Sequence, residues 1–232
     1  MLLPERKKYG RTFHFPWSPG ATSDDKIHAS VENLFAGRQV VVTEKLDGEN
    51  TTIYADGYTH ARSLDSKSHR SRDWIRSLAN RIGAEGLPPE LRICGENLFA
   101  RHSIAYAQLE SFFLVFGIYD RETCLSWDET VSWCGLLGLA AVPVLYRGVW
   151  DEAKVKACWT GKSVASPGAD QEGYVLRLAD SFGTEDFGKS VAKMVRQGHV
   201  QTTSHWMYEA VVPNKLRLAP SSQSGSGTTP TR

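Results

Sequence analysis

Apolar and polar positions follow two different rhythms along this chain. The β-branched run Val40-Val41-Val42-Thr43 predicts a buried strand. Asp47-Gly48 then marks a turn, Thr51 to Tyr54 a second strand, Asp56-Gly57 another turn, and a third strand leads toward Arg62. Val40 to Arg62 therefore reads as an antiparallel meander. Trp74, Ile75, Leu78 and Ile82 recur near helical spacing, which predicts a helix over 70–82. Leu91–Gly95 and Leu114–Tyr119 read as short strands. Helices are expected over Trp127–Leu137 and Asp151–Cys158, with strand-like Val142–Tyr146 between them. Strands over Glu172–Leu178 and Ser190–Val195 complete the pattern. Residues 1–30 are polar and turn-rich: Phe15 to Gly20 is irregular, and Ser23-Asp24-Asp25 predicts a helix start. Hairpin strands with helices inserted between them predict an α+β fold, antiparallel sheets with flanking helices, rather than a βαβ series. Residues 1–218 are expected to form one domain. Residues 219–232, rich in Ser, Gly, Thr and Pro, are expected to be a disordered tail.

Composition narrows the function classes. The chain has 232 residues, enough for a proper core, and a net charge of only +1, so any polyanion must meet a local basic patch. The four cysteines have no close paired spacing, which argues against zinc and for reduced thiols in a cytoplasmic protein. No apolar stretch approaches the ~20 residues needed to span a bilayer, so no membrane partner is expected. Dinucleotide-fold and P-loop glycine motifs are missing, which excludes those nucleotide sites. His199 and His205 lack a nearby carboxylate or thiol cluster and are expected to be structural.

Lys45 stands out. It follows the apolar run inside Glu44-Lys45-Leu46-Asp47-Gly48-Glu49-Asn50. An ammonium at the end of a buried strand either snorkels to solvent or has a partner that makes its burial affordable. The pattern Lys-x-Asp-Gly-x-Asn resembles the nucleotidyl-lysine motif of the covalent nucleotidyltransferases, the superfamily of polynucleotide ligases and mRNA capping enzymes. Further short motifs follow in that superfamily's order: His60-Ala61-Arg62-Ser63, Cys94-Gly95-Glu96-Asn97, Phe116-Gly117-Ile118-Tyr119-Asp120, Glu172-Gly173-Tyr174-Val175-Leu176-Arg177 and Ala192-Lys193-Met194-Val195-Arg196. The combination looks most like the ATP-dependent RNA ligases, especially the bacteriophage-type enzymes that seal duplex RNA and their bacterial relatives.

That resemblance implies a nucleotidyltransferase catalytic domain using ATP and Mg²⁺ (or Mn²⁺). It implies Lys45 as nucleophile, Glu172 as the carboxylate near the metal, and Lys193 on the α-phosphate. Glu96 would bind the ribose hydroxyls, Phe116 would stack on adenine, and Glu44 would read the adenine amino edge. Asp47 and Asn50 would organise the loop and the metal's water shell. Arg62 matches the residue that holds a terminal 5′-phosphate. From Arg62 to Arg81 six basic residues face two acidic ones, which predicts a backbone-contacting patch that includes Lys67, Arg70 and Arg72. Alternation in a strand would put Leu114, Phe116 and Ile118 on one face. The expected partner is RNA with 5′-phosphate and 3′-hydroxyl ends.

Two departures qualify the resemblance. Only 36 residues follow Arg196, too few for the OB-fold of DNA ligases and capping enzymes, so the chain resembles a bare nucleotidyltransferase domain whose sealing is weak or needs a partner protein or domain. The last motif lacks the second lysine of the family's Lys-x-Lys, and Arg196 sits at a different spacing. The alternatives are a DNA ligase, a GTP-dependent guanylyltransferase, or a non-catalytic nucleic-acid-binding relative.

Overall fold

The structure, a computed structural model, describes residues 5–66, 69–198 and 211–218. Lys67, His199, His205 and the 219–232 tail lie outside the described residues, so the expectations placed on them have no structural counterpart here. The first half runs β1 (Phe13–His14), α1 (Glu32–Phe35), β2 (Gln39–Lys45), β3 (Glu49–Tyr54), β4 (Thr59–Ala61), α2 (Asp73–Ala84), β5 (Leu91–Asn97) and β6 (Phe113–Asp120). The second runs β7 (Thr123–Cys124), α3 (Trp127–Leu136), β8 (Ala140–Ala141), β9 (Val144–Val149) and α4 (Glu152–Ala157). It closes with β10 (Gly173–Leu178), β11 (Phe182–Gly183), α5 (Phe187–Ser190) and β12 (Val191–Val195).

The strands form two sheets, one ordered β1-β12-β10-β2-β9 and the other β11-β7-β6-β5-β3-β4, with β8 beside β6. Pairing is antiparallel except for the short parallel pairs β1–β12 and β6–β8. The fold is therefore the expected α+β arrangement. Val40, Val41 and Val42 are fully buried because β2 packs on both faces, with Val40 and Val42 in one apolar cluster and Val41 in another. Helices α2 and α3 cover the outer face of the second sheet. Ile75, Ala79 and Ile82 of α2 pack there with Ile53, Ile93, Phe113, Val115 and Ile118. A capping box at Ser126 and Glu129 starts α3, a feature that typically contributes about 1 kcal/mol.

Four expectations change. Val40 to Arg62 is not one meander: β2 belongs to the first sheet, β3 and β4 to the second, and only β3–β4 is a hairpin. The Asp47-Gly48 turn is instead a crossover between sheets, held by distant groups rather than by hairpin hydrogen bonds. A Cβ on Gly48 would stand 2.6 Å from the Asn97 carbonyl oxygen, so the close approach requires glycine. Second, no helix starts at Ser23. The Asp25 carboxylate takes the Thr22 amide at 3.1 Å and its hydroxyl at 3.0 Å, closing a local turn that competes with helix. Third, Val142–Tyr146 is divided, because Pro143 lies between β8 and β9. Fourth, the β5–β6 register skips Phe116, with Gly95 opposite Val115 and Cys94 opposite Gly117. This bulge sends Ile118 to the helix-covered face with Phe113 and Val115, leaving Leu114 and Phe116 on the other.

Candidate active site

Lys45 is the last residue of β2 and Glu172 immediately precedes β10, its neighbour in the sheet. The strand pairing brings the lysine Nζ to 2.8 Å from the Glu172 Oε2. Side-chain exposure is 25% for the lysine and 6% for the glutamate, so the pair is sheltered but the amine remains reachable. Burial works to lower the Lys45 pKa. Glu172, Glu96 and Asp47 outweigh that desolvation, and in the free protein the amine is held above its ordinary value as an ammonium.

Around the amine lies a cavity of about 270 Å³ with walls from both sheets. Glu44, Lys45, Asn50, Arg62, Glu96, Phe116 and Lys193 all line it, so seven residues singled out from the sequence meet in one place. Glu44 is only 2% exposed, and its Oε2 accepts the amides of Val164 at 2.8 Å and Ala165 at 2.9 Å. Its other oxygen, Oε1, is buried with no hydrogen-bond partner, as is Asn50 Oδ1, and both residues line the cavity. Orphaned buried acceptors of this kind are rare in folded proteins, and a ligand's donors would satisfy them. Phe116 meets Tyr9 edge-on, with ring centroids 5.1 Å apart, and faces the cavity because of the β6 bulge.

Electrostatics divide the site. Burial pushes the Glu96 carboxyl up to about 8, with Glu172 and Asp47 adding to the rise and Lys45 opposing it. Burial also lowers the Lys193 ammonium to about 8, helped by the positive charges of Lys45 and Arg62. Glu96 Oε1 further accepts the Gly48 amide at 3.1 Å.

Glu172 is not on the cavity wall and meets the site through Lys45, and Asp47 does not line the cavity either. Its Oδ2 accepts from Ser103 N at 2.8 Å, Ser103 Oγ at 2.6 Å and Ile104 N at 2.7 Å, while its own amide donates to Tyr106 OH at 3.0 Å. It is thus a loop anchor rather than a group at the reacting atoms. Arg72 also departs from expectation. It is 9% exposed and its guanidinium is bound to the Glu49 carboxylate, with Nε to Oε2 at 2.7 Å, so it is not presented to a nucleic-acid backbone. Arg70 is exposed, and Arg62 is exposed at the mouth of the cavity. Arg196 stays off the cavity wall. Its backbone amide instead holds the Glu172 carbonyl at 2.9 Å.

Sequence reasoning missed three supports. The 163–165 segment that orients Glu44 carries no motif. Tyr9 and Thr12 come from an N-terminal stretch that reads only as polar. Asn214 is buried under residues 98–109, taking Tyr106 N at 2.9 Å on Oδ1 and giving Nδ2 to Leu98 O at 2.8 Å. Only the polar character of a residue inside an otherwise unremarkable segment hinted at it. Among the described residues no group of three His, Cys, Asp or Glu side chains could hold a metal, and no helix is long and apolar enough to cross a membrane.

Residues 38–195 match the family model described as RNA ligase. Comparison with curated proteins finds no match. Among solved structures the chain is similar to Naegleria gruberi RNA ligase. An apo point mutant of that protein aligns with a TM-score of 0.50 at 19% identity, over 84% of this chain and 57% of the other. A mutant with AMP and Mn aligns at 0.52 and 20%, over 82% and 56%. Another mutant with AMP and Mn aligns at 0.51 and 20%, over 80% and 60%. At such identity the likeness establishes the fold, and the chain spans little more than half of that protein's length.

Proposed function

Because this chain belongs to the RNA ligase family, we propose that it is an ATP-dependent RNA ligase that stores AMP on Lys45. The observation behind the reading is the Lys45–Glu172 pair at 2.8 Å, with Lys45 on the wall of a cavity that Glu44, Asn50, Arg62 and Lys193 also line. Glu44 Oε1 suits the exocyclic amine of adenine, whereas guanine would turn a carbonyl oxygen toward it. That favours ATP over GTP. Phe116 offers a ring face for the base, and Glu96 a carboxyl for the ribose hydroxyls.

Attack needs a neutral amine. Glu172 is the carboxylate in place to relay the ammonium's proton to water, which leaves it ionised, and Lys45 Nζ then bonds to the α-phosphorus. The bond to the bridging oxygen breaks, pyrophosphate leaves with the electron pair, and the second nitrogen proton passes to water. Lys193 and Arg62 meet the charge on the α-phosphate oxygens. Magnesium characteristically binds through one or two carboxylates together with substrate phosphates and water, which fits a site with Glu172 and, among the described residues, no three-ligand cluster. Such a cation, held by Glu172, would draw charge from the phosphate oxygens. In the later steps AMP passes from Lys45 to an RNA 5′-phosphate, and a 3′-hydroxyl displaces AMP. Arg62, exposed at the mouth, would hold that 5′-phosphate, and Arg70 would contact the strand beyond it. The test is label transfer from α-labelled ATP, GTP or NAD to protein, then to 5′-phosphorylated RNA or DNA, single-stranded or nicked. Covalent label from GTP but not ATP, or transfer to DNA alone, would replace this reading with one of its rivals.

A further inference from the structure

A second cavity, of about 680 Å³, adjoins the first and shares Tyr9, Gly10, Arg62 and Lys193 with it. Lys8, Arg11 and Ser63 complete its basic wall, against one carboxylate, Asp25. That carboxylate accepts both Thr22 donors and lies 3.4 Å from His14, and it also acts on Lys193. The vestibule thus carries four cations against one anion. Lys8 and Arg11 precede the 38–195 family match, so no family motif assigns them a role.

The segment that bears them is well anchored. Tyr9 sits edge-on to Phe116 and, at 5.2 Å, to Phe187. A Cβ on Gly10 would stand 2.5 Å from the Phe187 ring, which fixes that backbone against α5. The Arg11 guanidinium donates to the Asp24 carbonyl, and Lys8 has no ion-pair partner among the described residues. The result is two cationic side chains flanking a pinned backbone, on the same cavity wall as Arg62 and Lys193.

We propose that Lys8 and Arg11 seat the pyrophosphate portion of the donor triphosphate, holding the leaving group beyond the α-phosphorus. The inference rests on Lys45 being the adenylylated nucleophile. With the base at Glu44 and the α-phosphate at Lys193 and Arg62, which line both cavities, the β- and γ-phosphates would continue into the vestibule. As the bond from the α-phosphorus to its bridging oxygen breaks, the electron pair stays with pyrophosphate, and the two cations stabilise that added charge. Once pyrophosphate has left, the vestibule is open to the solvent side.

The same phosphate chemistry could come from the RNA 5′-end, and the experiment separates the two sources. Binding of inorganic pyrophosphate with Mg²⁺ is measured by calorimetry on wild type, Lys8→Ala and Arg11→Ala. Each substitution should weaken binding about tenfold, as expected for loss of one charge-assisted contact. Self-adenylylation from ATP should slow by a similar factor, while transfer of AMP from pre-adenylylated enzyme to 5′-phosphorylated RNA changes less than about threefold. Lys8→Arg and Arg11→Lys should restore most of the effect, with melting temperatures unchanged throughout. Pyrophosphate binding that is undetectable in wild type or indifferent to both substitutions overturns the proposal. So does a tenfold loss confined to RNA transfer, which would assign the vestibule to the RNA end. Failure of wild type to form any covalent adduct would instead overturn the Lys45 reading, and the pyrophosphate titration would still judge the vestibule.

Discussion

At the scale of single residues the site is a set of opposed charges. Lys45 is stored as an ammonium because Glu172, Glu96 and Asp47 together exceed its desolvation. For Lys193, burial and the charges of Lys45 and Arg62 outweigh Asp25 and Glu172, and the ammonium is lowered to about 8. From this follows a proton linkage. A bound triphosphate favours the charged form of Lys193, so its pKa rises on binding. ATP binding at a pH slightly above 8 should therefore take up protons, and less so well below 8, where the ammonium is already present. Calorimetry in buffers of different ionisation heat reads the uptake. Lys193→Met should remove most of it, and an uptake identical in the variant would place the titrating group elsewhere. Glu44 yields a second prediction. Glu44→Ala strands the Val164 and Ala165 amides and deletes the base contact, so KM for ATP should rise about tenfold with a narrower preference over GTP. An unchanged ATP-to-GTP ratio would show that Glu44 does not read the base.

At the scale of elements the sheet pairing does the positioning. Lys45 ends β2 opposite Gly173 of β10, and a Cβ on Gly173 would lie 2.0 Å from the Met194 carbonyl oxygen of β12. Three strands thus meet closely where the nucleophile stands. The loop after Lys45 is held in another way, through Asp47 to Ser103 and Ile104, Tyr106 to Asp47, and Asn214 to Tyr106 and Leu98. Asn214→Ala should cost about 2 kcal/mol of stability, since it leaves a buried amide and a buried carbonyl unsatisfied. It should also slow self-adenylylation without raising KM for ATP, because it touches the lysine loop and not the nucleotide. Denaturant titration and single-turnover labelling would check both, and a pure KM effect would contradict this role. Most elements were legible in the sequence, since the helical repeat at Trp74–Ile82 and the apolar strands have strong local causes. The crossover at Asp47-Gly48 was not. A turn dipeptide specifies a reversal but not which sheet receives the next strand, and that choice is made by Asn97, Glu96 and Ser103 far along the chain. The β6 bulge escaped for a similar reason, because it depends on pairing with β5. Burial of Arg72 against Glu49 likewise requires knowing that β3 lies under the start of α2.

At the scale of the whole molecule a net charge of +1 leaves little long-range attraction for RNA. Binding should depend on the few cations outside the vestibule pair, Arg62 at the cavity mouth and Arg70. The slope of log affinity for 5′-phosphorylated single-stranded RNA against log salt should then be shallow, about −1 to −2, consistent with roughly two neutralised phosphates. A much steeper slope would require an extended basic surface that the described residues do not present. Seven of the residues chosen from sequence converge on one cavity because ordered motifs encode a shared chemistry, while the groups that support them carry no such signature. The most direct test of the central claim is intact-mass and peptide-mapping spectrometry after incubation with ATP and Mg²⁺. One added AMP on the peptide containing Lys45, lost in Lys45→Ala, is the predicted result. An unmodified protein with every nucleotide, or an adduct on a different lysine, would contradict it.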